Sequence, residues 1–219
     1  MTMPRKRVVV FISGGGSNML ALAAACEAQD FPAEVVAVIS DKASAGGLAK
    51  AAERGIATFA FERRDYASKA EHEAAILATL ETLSPDIVCL AGYMRLLSGE
   101  FIQRLEGRII NIHPSLLPLF PGLHTHQRAI DAGMRIAGCT VHFVTEGMDE
   151  GPILAQAAVP VVTGDTADSL AARVLTVEHK LYPLALKLMA EGKVRMEDGH
   201  AVREQQGTAH PDDKLIGAF

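Results

Sequence analysis

Asn111 and His113 stand two residues apart at the end of a short apolar run, in the segment Asn111-Ile112-His113-Pro114-Ser115-Leu116-Leu117-Pro118. Successive side chains of an extended strand point to opposite faces, so the amide and the imidazole face one side while Ile112 faces the other. Acyl transfer is the chemistry this pairing suits. An Asn side chain can donate a hydrogen bond to an oxyanion as it develops, and histidine, whose ordinary pKa lies nearest neutrality, gives or takes a proton. The prolines restrict the loop that follows and hold these groups in place. A single histidine is more often a hydrogen-bonded structural residue, and His72, His200 and His210 read that way. His113 is set apart by the amide beside it.

A second polar segment, Thr145-Glu146-Gly147-Met148-Asp149-Glu150-Gly151-Pro152, follows another apolar run. Its glycines permit a bent loop. If that loop folds over His113, the Asp149 carboxylate stabilises an imidazolium there; taken alone, the segment reads as a solvated acidic turn. Near the start of the chain, Gly14-Gly15-Gly16-Ser17-Asn18 joins an apolar run to the beginning of a helix. Glycines let the backbone approach a ligand, and the N–H groups at a helix N-terminus attract anions, so this loop suits a phosphate. An isolated loop of this kind is more often a tight turn with an ordinary cap. Met19 stands where a dinucleotide fingerprint has its third glycine, and no Gly-Lys-Ser/Thr ending marks a P-loop. Asp41, after the second apolar run, keeps a dinucleotide reading open. His124-Thr125-His126 has the look of a metal pair without a third ligand, and reads better as the start of a helix or a surface turn.

These groups need a scaffold, and the pattern around them is that of an α/β fold. Apolar runs rich in β-branched residues at 7–13, 34–40, 58–61, 87–91, 109–112 and 138–145 read as strands. Segments rich in Ala, Leu and Glu at 18–29, 44–54, 65–83, 124–132 and 166–189 read as helices. Their alternation predicts a mostly parallel open twisted sheet flanked by helices on both faces. Ser84-Pro85-Asp86 ends the third helix, because proline disfavours helical geometry in the residue before it. Pro152 and Pro160 bracket an edge or irregular strand at 153–159. Residues 194–196 and 201–203 predict a terminal hairpin and 205–219 a loose tail. No repeat or linker divides the chain, so it reads as one domain over 1–219 with a core at about 7–190.

The formal net charge of −5 argues against a dedicated nucleic-acid binder. No apolar stretch approaches the length of a membrane span. Cys26, Cys89 and Cys139 are odd in number and widely spaced, which predicts buried free thiols rather than a disulfide framework or a zinc knuckle. A soluble cytoplasmic protein, monomeric or homodimeric, is the expectation.

With these residues in view, the chain resembles the folate-dependent formyltransferases, and among them the phosphoribosylglycinamide formyltransferase family. The likeness rests on the 111–118 segment, on Pro121-Gly122-Leu123-His124-Thr125-His126, and on Ala91-Gly92-Tyr93-Met94-Arg95-Leu96-Leu97. It continues through residues 13–18, 141–145, Asp149-Glu150-Gly151-Pro152 and Glu178-His179, covering about 7–183. The resemblance implies a Rossmann-like fold and transfer of formyl from 10-formyltetrahydrofolate to the amine of glycinamide ribonucleotide, a step of purine biosynthesis, with no metal. It implies Asn111, His113 and Asp149 as the catalytic groups and Gly16, Ser17 and Asn18 as the phosphate loop. Glu178 would meet the glycinamide end. The folate would lie against Lys69, Met94, Arg95, Leu96 and Leu97, and against Val144, Thr145, Glu146, Gly147 and Met148. Lys69 stands where the family often has Arg, keeping the charge but losing the bidentate fork. Gly15 stands where the family often has Asn.

Two related activities compete. A formyltetrahydrofolate hydrolase uses a similar trio but needs no phosphorylated acceptor, and would carry a further N-terminal domain; a methionyl-tRNA formyltransferase would carry a further RNA-binding domain. A non-catalytic phosphate-binding module would need residues 14–18 but not the trio.

Overall fold

The computed structural model describes residues 4–204 and, as backbone, residues 216–217. The chain divides into two compact units, Met1–Ile110 and Asn111–Phe219.

The first unit is built on β1 (Lys6–Ile12), whose residues Val8 to Ile12 are wholly buried. A continuous run of this kind belongs to a strand covered on both faces, where alternation with polar residues has no place. Then follow α1 (Ser17–Cys26), β2 (Ala33–Ser40), α2 (Gly46–Ala52), β3 (Ala57–Ala60), α3 (Lys69–Leu83), β4 (Ile87–Leu90) and α4 (Gly99–Arg104). A single 3-10 turn, Arg63–Asp65, precedes α3. The strands lie in the order β4-β1-β2-β3, all parallel. Ser68 caps α3 by accepting the Glu71 N–H. The helix stops at Ser84 in a left-handed conformation, just ahead of Pro85. The Asp86 carboxylate then accepts the Arg7 N–H at 2.8 Å, fixing where β4 enters beside β1. No sequence pattern marks α4, a six-residue helix capped by Ser98.

Strand β5 (Ile109–His113) runs across the boundary between the units. The second unit continues with α5 (Thr125–Asp131), β6 (Ile136–Phe143), β7 (Ile153–Pro160) and α6 (Ala167–Ala190). The predicted hairpin is present as β8 (Val194–Glu197) and β9 (His200–Arg203). β7 is antiparallel to β6. Its expected place at the edge is corrected at its centre, because the backbone of β10 (Ile216–Gly217) pairs antiparallel with Ala157 and Gln156. Those two residues also depart from the expected loose tail; the remainder of 205–219 lies outside the described residues. α6 begins with a reciprocal Thr166–Ser169 capping box and packs on β6 and β7, burying Leu170, Val174, Leu181 and Leu186. None of the described helices is long and apolar enough to cross a membrane.

Candidate functional site

In the second unit, β5 carries Asn111 half-buried and His113 buried, with Ile112 between them. His113 presents each ring nitrogen to an oxygen: Nε2–H donates to the Phe120 carbonyl at 3.0 Å, and Nδ1 lies 3.3 Å from Asp149 Oδ2. The same carboxylate oxygen accepts the Gly122 N–H at 2.8 Å. His113 and Asp149 therefore form a connected pair, to which Asn111 is joined through His142. His142 stands at the end of β6. Its Nδ1–H donates to the Phe143 carbonyl at 2.9 Å, and its Nε2 lies 3.2 Å from Asn111 Nδ2 and 3.7 Å from Asp149 Oδ1. Burial pushes the His142 pKa down, outweighing its hydrogen bond to Phe143 and the nearby Asp149 charge, and so favours the neutral ring. With its proton on Nδ1, that ring has only Nε2 left as an acceptor, and the Asn111 amide donates to it.

The loops that bring these groups together are held through their backbone. Residues 114–119 are tied down by Thr140, which accepts the Leu117 N–H at 3.0 Å and donates to the Ser115 carbonyl at 2.7 Å. Gln156 donates to the Leu117 carbonyl at 2.9 Å. Beyond that anchor, Phe120 has a φ of 55° and Asp149 one of 56°. Left-handed backbone costs a non-glycine residue about 1 kcal/mol or more, although Asp bears it better than Phe. Both strained residues therefore sit beside His113. Gly151 lets the 144–152 loop turn back: a methyl group there would overlap the Phe143 carbonyl oxygen.

In the first unit, the glycine loop, Asp41 and Gly92 follow the carboxyl ends of β1, β2 and β4, where open parallel sheets hold ligands. Gly16 has a φ of 69° and caps α1 with no side-chain hydrogen bond. Gly14 and Gly15 have open space around them, whereas Gly16 packs against Gly47 at the start of α2. Lys50 donates to the Gly15 carbonyl at 3.0 Å. Asp41, open to a dinucleotide reading in the sequence, is engaged otherwise: the Ser13 hydroxyl donates to its Oδ1 at 2.5 Å, and Arg95 Nε lies 2.9 Å from its Oδ2. The same hydroxyl accepts the Met94 N–H at 2.8 Å. This network stitches the start of the glycine loop to the 92–95 segment. Tyr93 anchors that segment edge-on against Phe11. Beside it lies a cavity of about 280 Å3 lined by Arg63, Lys69, His72, Glu73 and residues 93–97.

Of the other expected site residues, Glu178 is buried on α6, and its charge adds to the effect of burial in raising the Cys139 thiol pKa. Glu146, Gly147 and Met148 are exposed on the loop after β6, with Val144 and Thr145 half-buried at its start. His124 is the left-handed residue ahead of α5, and Thr125 begins that helix, in keeping with a helix start. Sequence reasoning passed over His142 and the Phe120 carbonyl. His142 carried the signal that picked out His113, a histidine at a strand end before a bent loop. A backbone carbonyl has no signal in residue type.

The fold and these motifs define a class: the chain belongs to the formyl transferase family, whose model matches residues 6–186. The chain is 74% identical to the solved phosphoribosylglycinamide formyltransferase of Brucella melitensis, with a TM-score of 0.83 over 85% of this chain and 96% of that one. It is 44% identical over 194 residues to the phosphoribosylglycinamide formyltransferase of Escherichia coli (strain K12), covering 89% of this chain and 92% of that protein. The trifunctional purine biosynthetic protein adenosine-3 of Homo sapiens is 47% identical over 192 residues, 88% of this chain. The chain spans only 19% of that relative's length.

Proposed function

We propose that this protein transfers a formyl group from 10-formyltetrahydrofolate to the amine of glycinamide ribonucleotide in purine biosynthesis. One observation carries the reading: His113 is set between the Asp149 carboxylate and a backbone carbonyl, beside an Asn111 amide oriented by His142. The likeness to phosphoribosylglycinamide formyltransferases supports the choice of donor and acceptor.

In the reaction the substrate amine attacks the formyl carbon, and the carbonyl electron pair moves onto oxygen. The second amide hydrogen of Asn111 and the Nε2–H of His113, released from the Phe120 carbonyl, stabilise that oxyanion. The bond from the formyl carbon to the folate nitrogen then breaks. That nitrogen keeps the electron pair and takes up the proton lost by the amine, with His113 assisting and Asp149 balancing the imidazolium charge. The products are formylglycinamide ribonucleotide and tetrahydrofolate, and no covalent enzyme intermediate forms. Holding two substrates together supplies much of the rate. Gly16, Ser17 and Asn18 take the phosphate, Glu178 meets the glycinamide end, and residues 94–97 and 144–148 take the folate. The three buried free thiols suit a reducing compartment such as the cytoplasm.

The test supplies 10-formyltetrahydrofolate with and without glycinamide ribonucleotide and follows tetrahydrofolate and formate together. Tetrahydrofolate release that needs the amine and yields no formate is the expected result. Formate release without the amine would make the protein a hydrolase, and binding without turnover a phosphate-binding module.

A further inference from the structure

The segment between the 114–119 anchor and α5 is strained and thinly held. Phe120, Gly122 and His124 all adopt left-handed backbone, with φ values of 55°, 77° and 57°. Non-glycine residues keep that conformation only where their surroundings enforce it. Residues 120–123 also serve the site twice: the Phe120 carbonyl accepts the Nε2–H of His113, and the Gly122 N–H donates to Asp149. Among the described residues, every other hydrogen bond to this segment comes from Arg128. Its Nη1 donates to the Pro121 carbonyl at 2.5 Å and to the Leu123 carbonyl at 3.3 Å, and its guanidinium carbon lies 5.4 Å from the centre of the Phe120 ring. One side chain thus grips Phe120, Pro121 and Leu123. Its own base is fixed, because Arg128 belongs to α5, with its N–H donating to the His124 carbonyl at 3.0 Å and the buried Ala129 beside it.

A planar guanidinium can lie against a ring and still direct its N–H groups to carbonyls, a combination that a compact ammonium reproduces only in part. We propose that Arg128 is a positioning residue for the formyl-transfer reaction: it clamps residues 120–123 so that the Phe120 carbonyl stays at His113 Nε2 and the Gly122 N–H keeps the Asp149 carboxylate turned to Nδ1. A carbonyl can only accept, so its place at Nε2 keeps a proton on that nitrogen until the oxyanion replaces it. Without the clamp the strained backbone relaxes, and both contacts lengthen. His113 and Asp149 then lose their alignment, which slows the reaction without weakening substrate binding. This assignment rests on the reaction proposed above and adds to it a residue that the resemblance does not mark.

The experiment compares the wild type with Arg128→Met, which keeps the stem without its charge or donors, and with Arg128→Lys. Turnover of 10-formyltetrahydrofolate and glycinamide ribonucleotide gives kcat and both KM values, and hydrogen–deuterium exchange of the ligand-free protein reads the amides of residues 119–124. Small misplacements of reacting groups cost up to roughly a hundredfold in rate, so Arg128→Met is expected to lower kcat by roughly ten- to hundredfold with both KM values retained. Exchange at Gly122 should quicken by about tenfold, the worth of one hydrogen bond. Arg128→Lys recovers part of kcat, because an ammonium still sits over the Phe120 ring and reaches one carbonyl. An unchanged kcat in Arg128→Met overturns the proposal. So does faster exchange throughout the second unit with a matching fall in Tm, which would mark Arg128 as a general structural residue. If the wild type does not transfer formyl, the proposed reaction is at fault and exchange alone decides the clamp: quickening confined to residues 119–124 supports it, and unchanged exchange there overturns it.

Discussion

His113 and Asn111 are both held by partners rather than by strand geometry alone. His113 has an oxygen beside each ring nitrogen, the Phe120 carbonyl at Nε2 and the Asp149 carboxylate at Nδ1. His113→Ala is expected to lower kcat by roughly 10²- to 10⁴-fold, with its circular dichroism spectrum retained. A folded, substrate-saturated variant with near-wild-type turnover would remove His113 from the mechanism. Asp149→Asn separates charge from geometry, because Asn tolerates left-handed backbone and still accepts the Gly122 N–H. Thermal stability should then hold while kcat falls by about tenfold or more, in line with the lost charge assistance; equal kcat would show that the Asp149 charge is not used. His142 acts through Asn111. His142→Phe removes the acceptor that orients the amide and should lower kcat by roughly tenfold, the size of one hydrogen bond in a transition state, with KM values little changed. A large rise in KM instead would place His142 in substrate binding.

At the scale of elements, the loop between β6 and β7 delivers Asp149, and Gly151 decides whether that loop can close. A methyl group at Gly151 overlaps the Phe143 carbonyl, whose residue donates its own N–H to the Pro152 carbonyl at 2.9 Å. Backbone must therefore move. Gly151→Ala should destabilise by about 1–3 kcal/mol, seen as a Tm lower by several degrees, and should lower kcat as Asp149 leaves His113. An unchanged Tm and kcat would mean that the loop accommodates the methyl group freely. The glycines after β1 behave differently: the space around Gly14 and Gly15 predicts that Gly15→Ala folds normally, whereas Gly16 needs its left-handed backbone.

For the molecule as a whole, pH acts through one buried histidine, His142, and two half-buried ones, His126 and His179. Burial lowers the pKa values of His126, His142 and His179 below the ordinary 6.5, and among them His126 and His179 each bury an Nε2 that lacks a hydrogen-bond partner. Below pH 6.5 the unfolded chain takes up protons that the native state refuses, so stability falls with pH through that window and is unaffected by these groups above it. Thermal melts from pH 8 to pH 5 should show a flat Tm above about 7 and a decline below 6.5. A Tm that rises on acidification through this range would contradict the assignment of these rings as neutral.

Runs such as Val8 to Ile12 and Ile87 to Leu90 revealed the parallel strands from sequence because both faces of such strands are covered, which leaves a continuous apolar signature. Strand alternation likewise set Asn111 and His113 on one face, since it depends only on local backbone geometry. Long-range contacts left no such mark. α4 is too short for periodicity, and the pairing of β10 with β7 joins residues some sixty positions apart. Asp41 keeps a dinucleotide reading open in the sequence, but its carboxylate is engaged by Ser13 and Arg95, which come from other strand ends. The residue types that chemistry requires were written in the sequence. Which atoms meet, His142 on Asn111, Asp149 on His113 and the Phe120 carbonyl on Nε2, was decided by the tertiary structure, because hydrogen bonds depend on distances of a few tenths of an ångström that chain order does not encode.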